Sequence, residues 1–355
     1  MHKYPHLMVF LLLLIFFSCS NAQKPVFPQE EWEPYSQDDL QGNGWNTDAF
    51  SEAREFIIDS TNGTGFVLVI DGKVALRYGD IQELSYLASC RKSILAMVYG
   101  NYVKSGKIKL KKTLEDMGMD DRQGLLPIEK QATIYDLITA RSGIYHPASN
   151  AGDNSADAPE RGSQKPGEYF LYNNWDFNAA GAAFEKETGI NIYDAVMNDI
   201  AIPLQMEDYD REAQRKSGNL NRSMYQAYHM WFSTRDMARI GWCMLNDGRW
   251  NDQQVIPKDW AKEIVSVITP SEEMNPDSYR NGEFGYGYMW WVWDGPDVPE
   301  ELKGAYSARG AWGQYITVIP KLNAVLSFKT NSVYRRRTGW GEYRKLIQMI
   351  IEAKE

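Results

Sequence analysis

The stretch SYLASCRKSILAMVYG, residues 85–100, places Ser89 three positions before Lys92 at the start of an apolar run. On a helix, residues three apart share a side, so the amine of Lys92 can approach the Ser89 hydroxyl and, when desolvated, act as its base. The same letters also fit a capping serine followed by a surface lysine. A chain of this length contains about one Ser-x-x-Lys by chance, so the rest of the sequence has to separate the two interpretations.

The composition is that of a folded, acidic protein. The chain has 355 residues, 43% hydrophobic and 24% charged, which allows a sizeable core in one large domain or two intertwined lobes. Its formal net charge of -9 argues against a nucleic-acid partner. The single basic cluster, residues 335–337, is short and is interpreted as a solvated turn.

The first 22 residues have the layout of a secretory signal. An apolar run over residues 7–17 is followed by small residues, which predicts that the mature chain, residues 23–355, is exported. Two cleavage sites compete: one after Ala22, and a lipoprotein junction before Cys19, which would then carry a lipid. The protein is accordingly expected to be periplasmic or a membrane-anchored lipoprotein.

The sequence lacks the residue patterns that are typical of the common hydrolytic and cofactor-binding sites. Beyond the signal, the histidines are His146 and His229, too few for a metal cluster. The sequence has no Gly-x-Ser-x-Gly, His-Glu-x-x-His, Cys-x-x-Cys or phosphate-binding glycine loop. Cys90 and Cys243 are interpreted as buried small hydrophobes rather than a disulfide. The remaining candidate is nucleophilic catalysis by Ser89 with Lys92 as its base.

Strand patterns lie at both ends of the chain and helical patterns between them. Residues 65–79 form two β-rich runs joined by Asp71-Gly72, a hairpin signal, and residues 342–355 have the spacing of a final helix packed on a sheet. We therefore predict an α+β fold: a sheet from about residues 60–82 and 284–332, and a helical lobe over about 89–280. The C-terminal strands are predicted at residues 286–293, 313–320 and 323–331.

A Tyr-x-Asn sequence, which could supply further proton-transfer groups, occurs at Tyr99, Tyr172 and Tyr279. Tyr99 lies within the helix predicted after Ser89, and Tyr279 lies in a polar loop. Tyr172 instead closes an extended segment, PGEYFLYNN, just before a predicted helix. Context therefore distinguishes Tyr172 from the other two tyrosines, but the residues alone favour packing of its ring on the helix and capping of that helix by Asn174.

Five blocks in a fixed order resemble the serine β-lactamase and penicillin-binding superfamily, in particular the class C β-lactamase-like hydrolases and esterases. The resemblance spans most of the mature chain and implies a β-lactamase/transpeptidase-like fold, with a mainly antiparallel sheet built from both chain ends, flanking helices and a helical lobe. The blocks are SCRK (89–92), TIYDLITARSGI (133–144), PGEYFLYNN (166–174), IPLQMED (202–208) and STRDMARIG (233–241).

The resemblance also implies roles for single residues. Ser89 would attack a carbonyl and form an acyl-enzyme, with Lys92 accepting its proton. Tyr172 would pass the proton to the leaving group, and Asn174 would position substrate or Lys92. The backbone N–H groups of Ser89 and Ala311 would form the oxyanion hole. No metal or organic cofactor is expected.

The sequence departs from the family at its third element. Where β-lactamases have Lys-Thr-Gly on the strand beside the cleft, this chain has Ala308-Arg309-Gly310 before Ala311. The glycine is kept, but the lysine and threonine that help to hold a substrate carboxylate are replaced. The similar letters at residues 337–339 follow the last predicted strand and are interpreted as a loop.

Three functions remain open. The first is an exported serine hydrolase of a small ester, amide or peptide. The second is a true β-lactamase or D,D-peptidase, which the replacements at Ala308 and Arg309 weaken. The third is an inactive relative that serves as a binding or sensor module, against which the intact Ser89, Lys92 and Tyr172 argue.

Overall fold

The structure is a computed structural model and describes residues 25–355. The expected export signal over residues 1–22, with Cys19, lies outside these residues. Within the described part of the chain, no helix is both long and apolar enough to cross a membrane.

A seven-stranded antiparallel sheet joins the two ends of the described chain. Its order is β2-β1-β13-β12-β11-β10-β9, so the N-terminal hairpin pairs with the last C-terminal strand. The α+β class and the sheet built from both chain ends are confirmed. The strands are β1 (Gly65–Ile70), β2 (Lys73–Gly79), β3 (Ser85–Tyr86), β4 (Arg215–Ser217), β5 (Ala227–His229), β6 (Trp231–Phe232), β7 (Arg249–Trp250), β8 (Gln253–Gln254), β9 (Phe284–Tyr286), β10 (Trp291–Trp293), β11 (Tyr306–Gly310), β12 (Gln314–Ile319) and β13 (Ala324–Lys329).

The predicted hairpin forms as expected, whereas the predicted strand over 286–293 was wrong. Asp71 and Gly72 have φ of 52° and 83°, the left-handed conformations that a two-residue hairpin turn requires. Residues 287–290 instead form a reversal between β9, which ends at Tyr286, and β10, which begins at Trp291; a 2.9 Å hydrogen bond from the Gly287 N–H to the Trp290 carbonyl closes it. A Cβ at position 287 would lie 2.4 Å from the Ile264 carbonyl oxygen, so only glycine fits this turn.

Helices cover both faces of the sheet and form the lobe between its two halves. The predicted C-terminal helix is confirmed, and α2 is an N-terminal helix that packs against it. The helices of the described residues are α1 (Gln37–Gly42), α2 (Thr47–Ser60), α3 (Cys90–Lys104), α4 (Ile134–Ile138), α5 (Asn174–Thr188), α6 (Ile192–Val196), α7 (Thr234–Leu245), α8 (Lys258–Glu263) and α9 (Trp340–Glu352).

The two faces of the sheet can be assigned from β12. On one face, Tyr343 of α9 stacks on Tyr315 at 4.2 Å and donates a hydrogen bond to Thr317. On the other face, α7 passes close to Ile316. Because neighbouring residues of a strand point to opposite faces, α9 and α7 lie on opposite sides of the sheet.

Helix α3 is the centre of the helical lobe. Its residues 90–100 are all buried, and the Tyr99 hydroxyl donates to the Ala180 carbonyl of α5. Cys90 and Cys243 are buried and unpaired, as predicted from the sequence. Since α3 also packs against β11, its first turn lies where the lobe meets the sheet.

Candidate active site

Ser89 lies at the sharp turn between β3 and α3. Ala88 has φ of 48°, a left-handed conformation that costs a residue with a Cβ about 1–2 kcal/mol. The turn is held from one side by a 2.9 Å hydrogen bond from the Leu87 N–H to the Met230 carbonyl. Although Ser89 occupies the N-cap position, its side chain makes no capping hydrogen bond. The capping interpretation of Ser89 is therefore wrong.

Lys92 is buried and points at the three other polar side chains that the sequence grouped with it. Its Nζ donates to Ser89 Oγ at 3.1 Å, to the Tyr172 hydroxyl at 2.5 Å and to Asn174 Oδ1 at 2.7 Å. The side chain is 1% exposed, so Lys92 is not a surface lysine. Burial, and then the positive charge of Arg91, hold the pKa of Lys92 well below its usual range.

Tyr172 and Asn174 are fixed by the backbone around them. The Leu171 N–H donates to the Ala140 carbonyl, and the Tyr172 carbonyl accepts from the Asn154 N–H, both at 2.9 Å. Asn174 Nδ2 donates to the Ala151 carbonyl at 3.0 Å, which turns its Oδ1 toward Lys92. The cap of α5 is supplied by the neighbouring residue, Asn173.

The Tyr172 phenol is held in an aromatic pocket. Its ring lies 4.9 Å from Phe177 and 5.3 Å from Trp291 between centroids. Burial raises the pKa of Tyr172, while a hydrogen bond with Ser89 and the charge of Arg91 act in the opposite direction. The phenol is therefore protonated at neutral pH and can exchange a proton with Lys92.

The other Tyr-x-Asn tyrosines do not contact Lys92. Tyr99 is buried in α3 with its hydroxyl bonded to the Ala180 carbonyl. Tyr279 borders the same cleft as Ser89, where its ring meets Trp291 edge-on at 5.9 Å. Of the three tyrosines, the structure brings only Tyr172 into hydrogen-bonding distance of Lys92.

Gly310 brings the end of β11 against the Ser89 turn. A Cβ at this position would lie 2.5 Å from the Leu87 carbonyl oxygen and 3.2 Å from the Ser89 nitrogen. Glycine is thus needed for the close approach, which sets the Ser89 and Ala311 backbone on neighbouring sides of the cleft. Neither of these two amides has a backbone acceptor within residues 25–355, as an oxyanion hole requires.

Arg309 lies in a box of aromatic rings at the wall of the cleft. Its guanidinium carbon is 4.2 Å from the ring centroid of Trp340, 4.5 Å from Phe284 and 4.9 Å from Trp291. Burial lowers the pKa of Arg309 from its usual value. Ala308, which precedes it, is fully buried and offers the cleft no polar group. The loop at residues 337–339 does not line the cleft.

The cleft in front of Ser89 has a volume of about 330 Å³. The structure brings together at this cleft five residues that were predicted from the sequence: Ser89, Tyr172, Arg309, Gly310 and Ala311. The polar loop of residues 150–167 borders the cleft, and Trp291 of the aromatic run 289–293 lines it; the sequence alone did not single out Asp153, Tyr279 or Tyr315 as lining residues. The lining residues are Ser89, Gly152, Asp153, Asn154, Tyr172, Tyr279, Trp291, Arg309, Gly310, Ala311 and Tyr315.

The two histidines of the described chain lie outside this cleft. His146 is bonded to the Arg122 and Pro147 carbonyls, and His229 contacts the Tyr86 hydroxyl at 2.9 Å. Burial lowers the pKa of His229 to about 4. The basic side chain that is hydrogen-bonded to Ser89 Oγ is Lys92.

A family model for the beta-lactamases matches residues 54–348. The chain belongs to the beta-lactamase family. Members of this family are serine hydrolases that act on small amides and esters. Among curated proteins, an uncharacterized protein of Alkalihalophilus pseudofirmus is 28% identical over 109 residues, which are 29% of this chain and only 31% of that relative.

Solved structures of family members share the fold. A Bacillus anthracis protein assigned as a 6-aminohexanoate-dimer hydrolase has a TM-score of 0.62 and 20% identity, over 84% of this chain and 80% of the other. A Mycobacterium bovis beta-lactamase has a TM-score of 0.61 and 16% identity, over 85% and 100%. The hydrolase EstCE1, which has promiscuous acyltransferase activity, has a TM-score of 0.62 and 13% identity, over 86% and 97%.

Proposed function

We propose that the protein is an exported serine hydrolase that cleaves a small ester or amide through an acyl-enzyme on Ser89. The observation that carries the proposal is the contact of one buried amine, Lys92 Nζ, with both the Ser89 and Tyr172 hydroxyls. Similarity to a protein assigned as an amide hydrolase and to EstCE1 supports a small amide or ester as substrate.

In acylation, neutral Lys92 directs its two N–H groups at Tyr172 and Asn174, and its lone pair accepts the Ser89 proton as Oγ attacks the substrate carbonyl. A free lysine has a pKa near 10.4, and burial, then the positive charge of Arg91, lower the pKa of Lys92 and so favour the neutral amine. The Ser89 and Ala311 N–H groups bind the carbonyl oxygen as it gains negative charge. Tyr172 then passes the proton from Lys92 to the leaving oxygen or nitrogen.

In deacylation, the same groups transfer protons in the reverse order, with a water molecule in the place of the leaving group. Once the leaving group has left, Tyr172 and Lys92 can accept a proton from a water molecule that attacks the acyl carbonyl. The proton returns to Ser89 Oγ as the acyl group is released as a carboxylic acid. The chemistry needs no group beyond those present in the chain.

Covalent labelling tests the nucleophile. We expect a fluorophosphonate probe to add one label to the wild-type protein and none to Ser89→Ala, as measured by intact mass. Ser105→Ala, at the exposed end of the same helix, is the matched control and should label normally. The mass of the mature chain also tests export, because cleavage after Ala22 and a lipid on Cys19 give different masses. A folded wild-type protein that never labels would favour the inactive relative.

A second candidate function, β-lactam or D-Ala-D-Ala hydrolysis, is favoured by one observation. The Arg309 guanidinium lines the cleft and has no ion-pair partner within residues 25–355, so it could bind a substrate carboxylate. Against this, three rings hold the side chain at the wall, and Ala308 supplies no second anchor. We therefore place ester or amide hydrolysis first.

Substrate comparison separates these two functions. We expect p-nitrophenyl acetate and butyrate to be hydrolysed with kcat/KM at least about a hundredfold above nitrocefin or penicillin, some 2.7 kcal/mol in transition-state binding. The reason is that Arg309, held among three aromatic rings, narrows the cleft where a β-lactam would place its carboxylate. If nitrocefin or a D-Ala-D-Ala peptide were the best substrate, Arg309 would be the anchor, and Arg309→Ala should then abolish that preference while sparing the esters.

A further inference from the structure

Arg91, the residue before Lys92, is a buried cation without a carboxylate partner. Its side chain is 1% exposed, and its one hydrogen bond within the described residues runs from Nη2 to Asn178 Oδ1 at 3.1 Å. Its guanidinium carbon lies 4.8 Å from the centre of the Tyr228 ring, and its buried Nε has no acceptor there. A buried charge without an opposite charge destabilises a fold, so its presence calls for a functional reason.

The charged side chains of Arg91 and Lys92 contact the same face of α5. Lys92 Nζ donates to Asn174, and Arg91 donates to Asn178, four residues later. Residues four apart on a helix have Cβ atoms about 5–6 Å apart, so the two acceptors are neighbours on one surface. The two cations therefore approach each other in a buried environment where water screens them little.

The loop before α5 fixes the acceptor amides. Asn178 Nδ2 donates to Asn150 Oδ1 at 2.8 Å, which leaves its Oδ1 to face Arg91. The carbonyl of the next loop residue, Ala151, accepts from Asn174 Nδ2 and so turns the Asn174 oxygen toward Lys92. One loop thus positions both cations.

Few other ionisable groups act on Lys92. Tyr172 and Cys90 are buried and neutral, because burial raises the pKa of both. Asp153 favours the charged form of Lys92, whereas Arg91 opposes it, second only to burial. Asp153 is half-exposed at the cleft and accepts hydrogen bonds from the Asn174 and Ser155 N–H groups, so solvent and these dipoles screen its charge. Arg91 is therefore the principal charge that favours neutral Lys92.

We propose that Arg91 is a positioning residue whose unpaired charge keeps Lys92 in the uncharged form that accepts the Ser89 proton. The inference rests on the proposed function, since it concerns the base of that reaction. Arg91 itself never needs to contact the substrate. Its charge also favours loss of a proton from Tyr172, so the effect has the same direction if the phenol shares the role of base.

The pH dependence of labelling tests the proposal without a known substrate. The rate of fluorophosphonate addition to Ser89 should rise with pH as the base loses its proton. Without the positive charge of Arg91, the pKa of Lys92 is higher, so the rising part of the pH–rate profile (its limb) moves to higher pH. We expect Arg91→Gln to shift the rise of the labelling rate with pH upward by about one pH unit. At pH values below this rise, labelling should be about tenfold slower than in the wild type. At alkaline pH it should recover to near the wild-type rate. Arg91→Lys should restore the wild-type profile.

A second variant keeps the arginine in place. Asn178→Asp has nearly the same shape but provides Arg91 with a carboxylate, so it should shift the limb in the same direction even if Arg91→Gln fails to fold. Asn251→Asp, in an exposed turn outside the cleft, is the control for the added charge and should leave the limb unchanged.

The possible failures are distinguishable. Wild-type protein that does not label at any pH contradicts the proposed function. Wild-type protein that labels with a pH limb, together with Arg91→Gln and Asn178→Asp limbs within about 0.3 unit of it, contradicts only the role of Arg91. A loss of rate that is uniform across pH in both variants also overturns that role, because it indicates a packing defect instead.

Discussion

Replacing Lys92 by arginine is expected to lower the acylation rate by roughly a hundredfold to ten-thousandfold, the effect of losing a general base. An arginine keeps a positive charge and hydrogen-bond donors at this position. It cannot lose its proton at any working pH, so it cannot accept the Ser89 proton. Lys92→Ala should lose a similar amount. The rate of acyl-enzyme formation from p-nitrophenyl acetate, followed in the stopped-flow burst, measures the effect.

A matched control isolates the role of the base. Lys104→Arg makes the same chemical change at the exposed last turn of the same helix, and its acylation rate should equal that of the wild type. Thermal unfolding should confirm that both variants are folded. An arginine at position 92 that acylates at the wild-type rate would refute lysine as the base and leave Tyr172 as the group that activates Ser89.

The sequence predicted the part of this site that depends on order along the chain. Ser89 and Lys92 are one helical turn apart, so their contact follows from helix geometry once the segment is helical. Tyr172 could be chosen over Tyr99 and Tyr279 because it closes an extended segment before a helix, within one of the five ordered blocks. The hairpin at Asp71-Gly72 was predictable since few residue pairs accept its backbone angles.

What the sequence could not predict arises from contacts between distant segments. The aromatic box of Arg309 is formed by Phe284, Trp291 and Trp340, which come from two strands and the last helix. The split of residues 286–293 into two strands depends on the close approach of the Ile264 carbonyl to Gly287. Neither contact leaves a periodic signal in the sequence.

The same limit applies to Arg91. Read along the chain, it is an unremarkable residue between a serine and a lysine, and arginine is usually exposed or paired. Its significance comes from burial against Tyr228 and Asn178, which lie more than 80 residues away in the chain. A charge that acts through space on a neighbouring amine becomes visible only when both environments are known.

Replacing Tyr172 by phenylalanine is expected to lower turnover by roughly a hundredfold or more while leaving the fold intact. The substitution removes one hydroxyl, and the ring can keep its contacts with Phe177 and Trp291. Lys92 loses one hydrogen-bond partner but retains Ser89 and Asn174, so we expect a loss of about 1 kcal/mol in the free energy of unfolding. Steady-state hydrolysis of p-nitrophenyl butyrate and thermal unfolding measure the two effects.

Tyr99→Phe is the matched control, because Tyr99 is also a buried tyrosine whose hydroxyl makes a short hydrogen bond, at 2.6 Å to the Ala180 carbonyl, but it lies outside the cleft. This variant should lose a similar amount of stability and no activity. The comparison therefore separates loss of a buried hydroxyl from loss of a proton carrier. Near-wild-type turnover by Tyr172→Phe would assign the proton transfer elsewhere, and Tyr279, the other tyrosine with the Tyr-x-Asn pattern at the cleft, would then be the residue to replace.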